Sequence, residues 1–142
     1  MKLPFILSIL ILGSLFGACN KNKLHPVPNI PFDMTIDITL PSYSGLVGVG
    51  GWTYVSGGSR GIIVYRRAID EFIAFDRHSP EDPDALCGMP LYPDNDNFLQ
   101  LIDSCSTARY SLYDGSSITG SEFGLRQYQT IYNGSNNLRI YN

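Results

Sequence analysis

The chain is poor in the residues that most often announce chemistry. Among 142 residues there are two His, three Cys and one Trp, and only 16% are charged. The ten Lys and Arg are scattered and the formal net charge is −3, so the basic patch that draws nucleic acid is missing. No window of ten or more residues carries helical periodicity. Residues 65–73 come nearest, but their Ile, Val and Phe content favours strand. No internal repeat is visible. The glycine-rich pieces GLVGVGGW (45–52) and SGGSRG (56–61) lack both G-x-G-x-x-G spacing and a following helix. That excludes a phosphate loop and leaves hairpin turns or a bulge. The acidic groups Asp76, Glu81, Asp82 and Asp84, and Asp94 with Asp96, follow no EF-hand spacing. They read as solvated loops, with Ca²⁺ binding through oxygen ligands as the alternative.

What is present starts at the N-terminus. Lys2 precedes a nearly unbroken apolar run over residues 3–16, and Leu15-Phe16-Gly17-Ala18 then meets Cys19. A positive start, an apolar run too short for a comfortable span and small residues before a cleavage point define a secretory signal peptide over residues 1–18. A Cys directly after the small pair resembles the bacterial lipobox, which implies diacylation of Cys19 and durable anchoring to a membrane. The alternative is a plain signal peptide with Cys19 as a late residue. Removing residues 1–18 leaves 124 residues at net charge −4, because Lys2 is the only charged residue among them. That is enough chain for one domain with one core. With lipid on Cys19, Cys87 and Cys105 remain as an even pair, which in an oxidising compartment favours a disulfide over a reactive site.

Residues 20–32, NKNKLHPVPNIPF, hold three prolines and no apolar period. They read as an extended spacer, so residues 19–33 form a lipidated Cys and Pro-rich tether in which His25 is solvated. From Met34 the pattern changes. MTIDITL (34–40) alternates without error, with Met34, Ile36, Ile38 and Leu40 on one side. Strict alternation marks a strand with one buried face. Further strands are expected at 51–55, 61–66, 71–76, 98–102, 109–113, 126–132 and 137–141, all rich in Ile, Val, Tyr and Phe. Turns fall at Gly57-Gly58, Asp114-Gly115 and Asn133-Gly134, the last a strong hairpin signal. The fold class is therefore all-β, a small domain of short antiparallel strands over residues 34–142.

The segments GIIVYRR (61–67), EFIAFDR (71–77) and RYSLYDGSSITG (109–120) resemble the framework of the Rieske iron–sulfur domain. The resemblance runs from about Met34 to the C-terminus and rests on strand order and two turns. It implies a β-sandwich or partly open barrel with two long loops. In that family two Cys thiolates and two His nitrogens hold a two-iron two-sulfur cluster. Here Ser79 and Glu81 occupy the positions matching the first Cys and His, and Asp103 and Ser106 those matching the second pair. A serine hydroxyl holds its proton far more tightly than a thiol, and carboxylates are hard donors unsuited to a sulfide-bridged cluster. His78 stands one residue before the first box. The resemblance also implies that Cys87 and Cys105 form a disulfide linking the two loops, with two free thiols as the alternative.

The stretch FDRHSPEDPDALC (75–87) thus reads as the place of a former metal site. His78 beside Ser79 suggests a hydrolytic pair, but neighbours in sequence at a strand end rarely face one another and no orienting acid is evident. The nine Tyr read as strand-face and core residues rather than a sugar-stacking platform. The expected protein is a lipoprotein of the bacterial cell envelope, lipid-anchored to a membrane and facing the periplasm or the cell surface. It is expected to act as a structural or interaction module, to carry no cofactor or metal and to have no catalytic residues. Its partners are the membrane and a second protein. One alternative is a Rieske-type electron-transfer or oxygenase-associated iron–sulfur protein with unusual ligands. The other is a carbohydrate-binding or adhesion β-sandwich lipoprotein.

Overall fold

Alternating apolar residues supply a sheet with one buried face, and continuous apolar runs supply strands buried on both. Both kinds occur in the computed structural model, which describes residues 23–142. The expected signal peptide, residues 1–18, and Cys19 lie outside the described residues. The strands are β1 (Asp33–Asp37), β2 (Trp52–Val55), β3 (Ile62–Ala68), β4 (Glu71–Asp76), β5 (Tyr92–Pro93), β6 (Gln100–Ile102), β7 (Arg109–Ser111), β8 (Ser117–Thr119), β9 (Gln127–Tyr132) and β10 (Asn137–Tyr141). A single 3₁₀ helix, Pro41–Leu46, follows β1 among the described residues. Six strands form a curled half-barrel sheet in the order β1-β10-β9-β4-β3-β2, and four form a second sheet, β5-β6-β7-β8. All pairings are antiparallel. The protein is all-β, and the Cys87–Cys105 disulfide joins the β4–β5 loop to the β6–β7 loop.

The β3–β4 hairpin is the centre of the molecule. Ile62 to Tyr65 and Phe72 to Asp76 are buried at every position. Ile62, Val64, Phe72 and Ala74 face one core, which Ile36, Leu46, Tyr128, Leu138 and Ile140 complete inside the curl of the larger sheet. Ile63, Tyr65, Ile73 and Phe75 face the other, completed by Leu101 and Tyr110 from the smaller sheet and Leu91 and Leu112 beside it. The uninterrupted IIVY and FIA runs therefore mean a hairpin clamped between two layers, each buried aliphatic or aromatic side chain contributing about 1.5–3 kcal/mol.

Differences from the sequence expectation have local causes. The first strand ends at Asp37, not Leu40. The Asp37 carboxylate accepts the Thr39 N–H and hydroxyl, and Pro41 then opens the 3₁₀ helix. Ile38 stays buried, but Leu40 is turned to solvent. Strands β5 and β8 had no signal, each carrying one large apolar residue, Tyr92 or Ile118. The Asn133-Gly134 hairpin forms, with a turn that also needs Asn136 at φ 67°. The Asp114-Gly115 turn lies on Phe75. Gly115 has φ 76°, and a Cβ there would stand 2.4 Å from the Phe75 ring.

The part of the tether that is described does not run free. Val27 is wholly buried, and its carbonyl accepts the Arg126 Nε–H. His25 is half-buried: Nδ1 accepts the Val27 N–H, so Nε2 carries the proton and donates to the Gly124 carbonyl. The solvated His25 of the sequence reading is thus a fastener. A PPII-like segment is stiff and unpaired along its backbone, so it is well suited to lie as a strap on another surface.

Candidate functional site

Two loops meet above the smaller sheet, one joining β4 to β5 (residues 77–91) and one joining β6 to β7 (103–108). The disulfide joins them with a Cα–Cα distance of 6.1 Å. Beneath it lie the buried polar residues Ser79 and Asp103. The Ser79 hydroxyl donates to Asp103 Oδ2 at 2.6 Å, the Ser106 hydroxyl donates to the same oxygen at 2.8 Å, and the Cys105 N–H donates to Oδ1 at 2.9 Å. Ser79 Oγ accepts the Glu81 N–H and lies 3.4 Å from the Tyr110 hydroxyl, while Ser106 Oγ accepts the Ala108 N–H. Burial alone would raise the Asp103 pKa. The hydrogen bonds from Ser79, Cys105 and Ser106 outweigh it and hold the carboxyl below its ordinary value. Burial pushes the Tyr110 hydroxyl up.

Ser79, Asp103 and Ser106 are therefore one hydrogen-bonded group. Glu81 does not join it by its side chain, but lines the same open cleft of about 310 Å³, together with Asp82, Cys87, Asp103, Cys105 and Ser106. All four positions singled out in the sequence come to one place. Cys87, Cys105 and Asp103 also lie together, within 4.8 Å of one another. Two of the three are consumed in the disulfide, so the trio is not a ligand set in this oxidised form.

His78 is drawn elsewhere. It is buried, with Nδ1 2.7 Å from the Ser59 hydroxyl and Nε2 2.7 Å from the Asp82 carbonyl. With Nε2–H donating to the carbonyl, Nδ1 accepts from Ser59. The adjacent Ser79 is not its partner. Nor do the acidic residues converge as a cation cage. Asp76 is wholly buried and accepts from the Ser59, Arg60 and His78 N–H groups and from the Tyr128 hydroxyl. Asp82 accepts the Leu86 and Cys87 N–H groups, shaping the turn that presents Cys87. Asp76 and Asp82 are thus committed to backbone donors, while Glu81 and Asp84 are exposed. Gly58 sits on this knot at φ 64°, where a Cβ would approach the Tyr128 hydroxyl to 2.4 Å and Asp76 Oδ2 to 2.5 Å.

Ser59, Tyr110 and Tyr128 escaped the sequence reading as site residues. A Ser in a turn and Tyr in strands look ordinary, and their partners are 17 to 52 residues away. Compared with known proteins, the chain matches no protein-family model, no curated protein and no solved structure.

Proposed function

We propose that this protein is a lipid-anchored envelope protein whose Rieske-like domain has lost its two-iron two-sulfur cluster and serves as a structural or interaction module. The observation that carries the reading is the Ser79–Asp103–Ser106 hydrogen-bonded group beneath the disulfide. Three of the positions matching the family's ligands are bonded to one another, where the ligands of a cluster would be spread around the metal. The donor set does not fit the cluster. Hydroxyls and carboxylates are poor partners for sulfide-bridged iron, and Asp103 already has three donors. In the proposed module the disulfide takes over the crosslink between loops that a cluster would provide.

The loop carrying Cys87 offers a docking tip. Leu86 is 86% and Met89 57% exposed, with the exposed carboxylates of Glu81 and Asp84 nearby. Exposed apolar residues rimmed by charge suit a protein partner. Cys19, once acylated, would hold that tip near a membrane, and an acidic chain of net charge −3 has no use for nucleic acid.

Anaerobic purification followed by iron and sulfide analysis and a visible spectrum tests the central claim. A colourless protein without stoichiometric iron is expected; two irons and two sulfides per chain would refute it and favour the electron-transfer alternative. Metabolic labelling with an alkyne fatty acid tests the anchor. Label and membrane fractionation should both be lost in Cys19→Ser, and an unlabelled wild-type chain would sink the lipoprotein assignment.

A further inference from the structure

A second cleft, of about 360 Å³, shares no lining residue with the first and lies where the edges of the two sheets approach. Strand β2 is the edge of the larger sheet and β5 the edge of the smaller. The cleft is lined by Trp52 and Tyr54 from β2, Tyr92 from β5, and Asp94, Asn95 and Phe98 from the turn into β6. With Pro93, also of β5, the lining numbers seven residues, four of them aromatic. Trp52 and Tyr54 are two apart on one strand and so face the same side, with ring centroids 5.0 Å apart. Trp52 is anchored against the core between the sheets, while Tyr54 and Phe98 are 40% and 57% exposed.

The cleft is built rather than loose. The Arg77 guanidinium lies 3.8 Å from the Tyr54 ring centroid and donates through Nε to the Leu91 carbonyl, which steadies Tyr54 from behind. Asp94 accepts the Asp96 N–H on Oδ1 and Arg109 Nη1 on Oδ2, so its carboxylate is aimed and retains unused lone pairs. Charge decides the ligand class. Asp94 is the one charged residue in the lining, and Arg109 already balances it. Within the lining itself neither a cationic nor an anionic ligand would find an unpaired countercharge, since Arg77 stands behind Tyr54 and is not part of the lining. What remains is exposed ring faces beside an oriented acceptor and the Asn95 amide. That pairing matches a pyranose, whose C–H face is apolar and whose rim carries hydroxyls.

We propose that this cleft binds an uncharged oligosaccharide, its sugar rings stacked on Trp52 and Phe98 and its hydroxyls bonded to Asp94 and Asn95. The site shares no residue with the cleft at the disulfide and does not depend on the cluster-free reading of that cleft. It also qualifies the expectation for the tyrosines: Tyr65, Tyr110 and Tyr128 are core residues, but Tyr54 and Tyr92 turn to this cleft.

Trp52 is the only tryptophan of the chain, so its fluorescence reports on this site alone. The full-length chain, held in a detergent without a sugar headgroup, is titrated with neutral glucan, galactan, mannan and N-acetylglucosamine oligomers. At least one is expected to shift the Trp52 emission saturably, with affinity falling tenfold or more in both Phe98→Ala and Asp94→Asn. Phe98 is largely exposed, so its truncation leaves the core intact and near-ultraviolet circular dichroism unchanged. The proposal is overturned if no neutral oligosaccharide shifts the emission, if only charged glycans or proline-rich peptides do, or if Phe98→Ala binds as well as wild type.

Discussion

Ser79 and Asp103 stand 24 residues apart in sequence and share a 2.6 Å hydrogen bond between two buried side chains at the floor of the cleft at the disulfide. Because Asp103 also accepts from Ser106 and Cys105, its carboxyl is held below its ordinary pKa once the opposing effect of burial is overcome. A depressed carboxyl contributes stability that is present above its unfolded pKa of about 4 and is lost as pH falls through the folded value. Wild-type stability should therefore decline below about pH 4, and Asp103→Asn should flatten that decline. Asp103→Ala leaves two hydroxyls and an N–H without their acceptor and should cost about 2–4 kcal/mol at pH 7. Urea unfolding at pH 7 and pH 3 measures both effects.

Asp76 and Tyr128 are predicted to behave as a protonated phenol bound to a carboxylate. Burial, and then the adjacent Asp76 charge, push Tyr128 far above the usual tyrosine range. A group whose folded pKa is raised contributes stability that is full below its unfolded pKa, about 10 for Tyr, and fades as pH rises beyond it. Ultraviolet titration should show a tyrosine that ionises only on alkaline unfolding, and Tyr128→Phe should remove that component. The same substitution should cost about 1.5–3 kcal/mol near neutrality, the usual worth of a hydrogen bond to a charged group.

Gly58→Ala should destabilise by more than Tyr128→Phe. The new Cβ would press on both partners of that pair at a φ that L-residues rarely adopt. Thermal unfolding of the two variants side by side distinguishes them. Equal melting temperatures would mean that the turn relaxes away from Asp76.

The Cys87–Cys105 bridge spans a sequence separation of 18, so loop-closure entropy assigns it about 3 kcal/mol. Replacing both Cys by Ser should lower unfolding free energy by that amount while the sheets remain, as read by far-ultraviolet circular dichroism. Non-reducing peptide mapping should recover the crosslinked pair, and alkylation of both thiols in the unreduced protein would contradict it.

Much of the architecture was legible because its causes are local. Met34 to Ile38 alternate in sequence and in burial, and Gly115 and Gly134 mark turns through their positive φ. The doubly buried β3 and β4 announced themselves as continuous apolar runs. Strands β5 and β8 did not, since Tyr92-Pro93 and Ser117–Thr119 each carry one large apolar residue, too few to display a pattern. The loop cluster was not legible from local pattern. Nothing in the local sequence says that Ser79 reaches Asp103, or that His78 turns instead to Ser59.

By itself, then, the sequence determined the strand-rich class, the turns and the even pair of cysteines beyond Cys19. These follow from side-chain alternation, glycine dihedrals and residue counts, each read within a few positions. Tertiary structure alone decided which hydroxyl faces which carboxylate and which tyrosines are buried. It also decided that Trp52 and Phe98, 46 positions apart in the chain, line one cleft. Those outcomes depend on how the two sheets pack across the β3–β4 hairpin, and such packing brings together residues that share no local pattern.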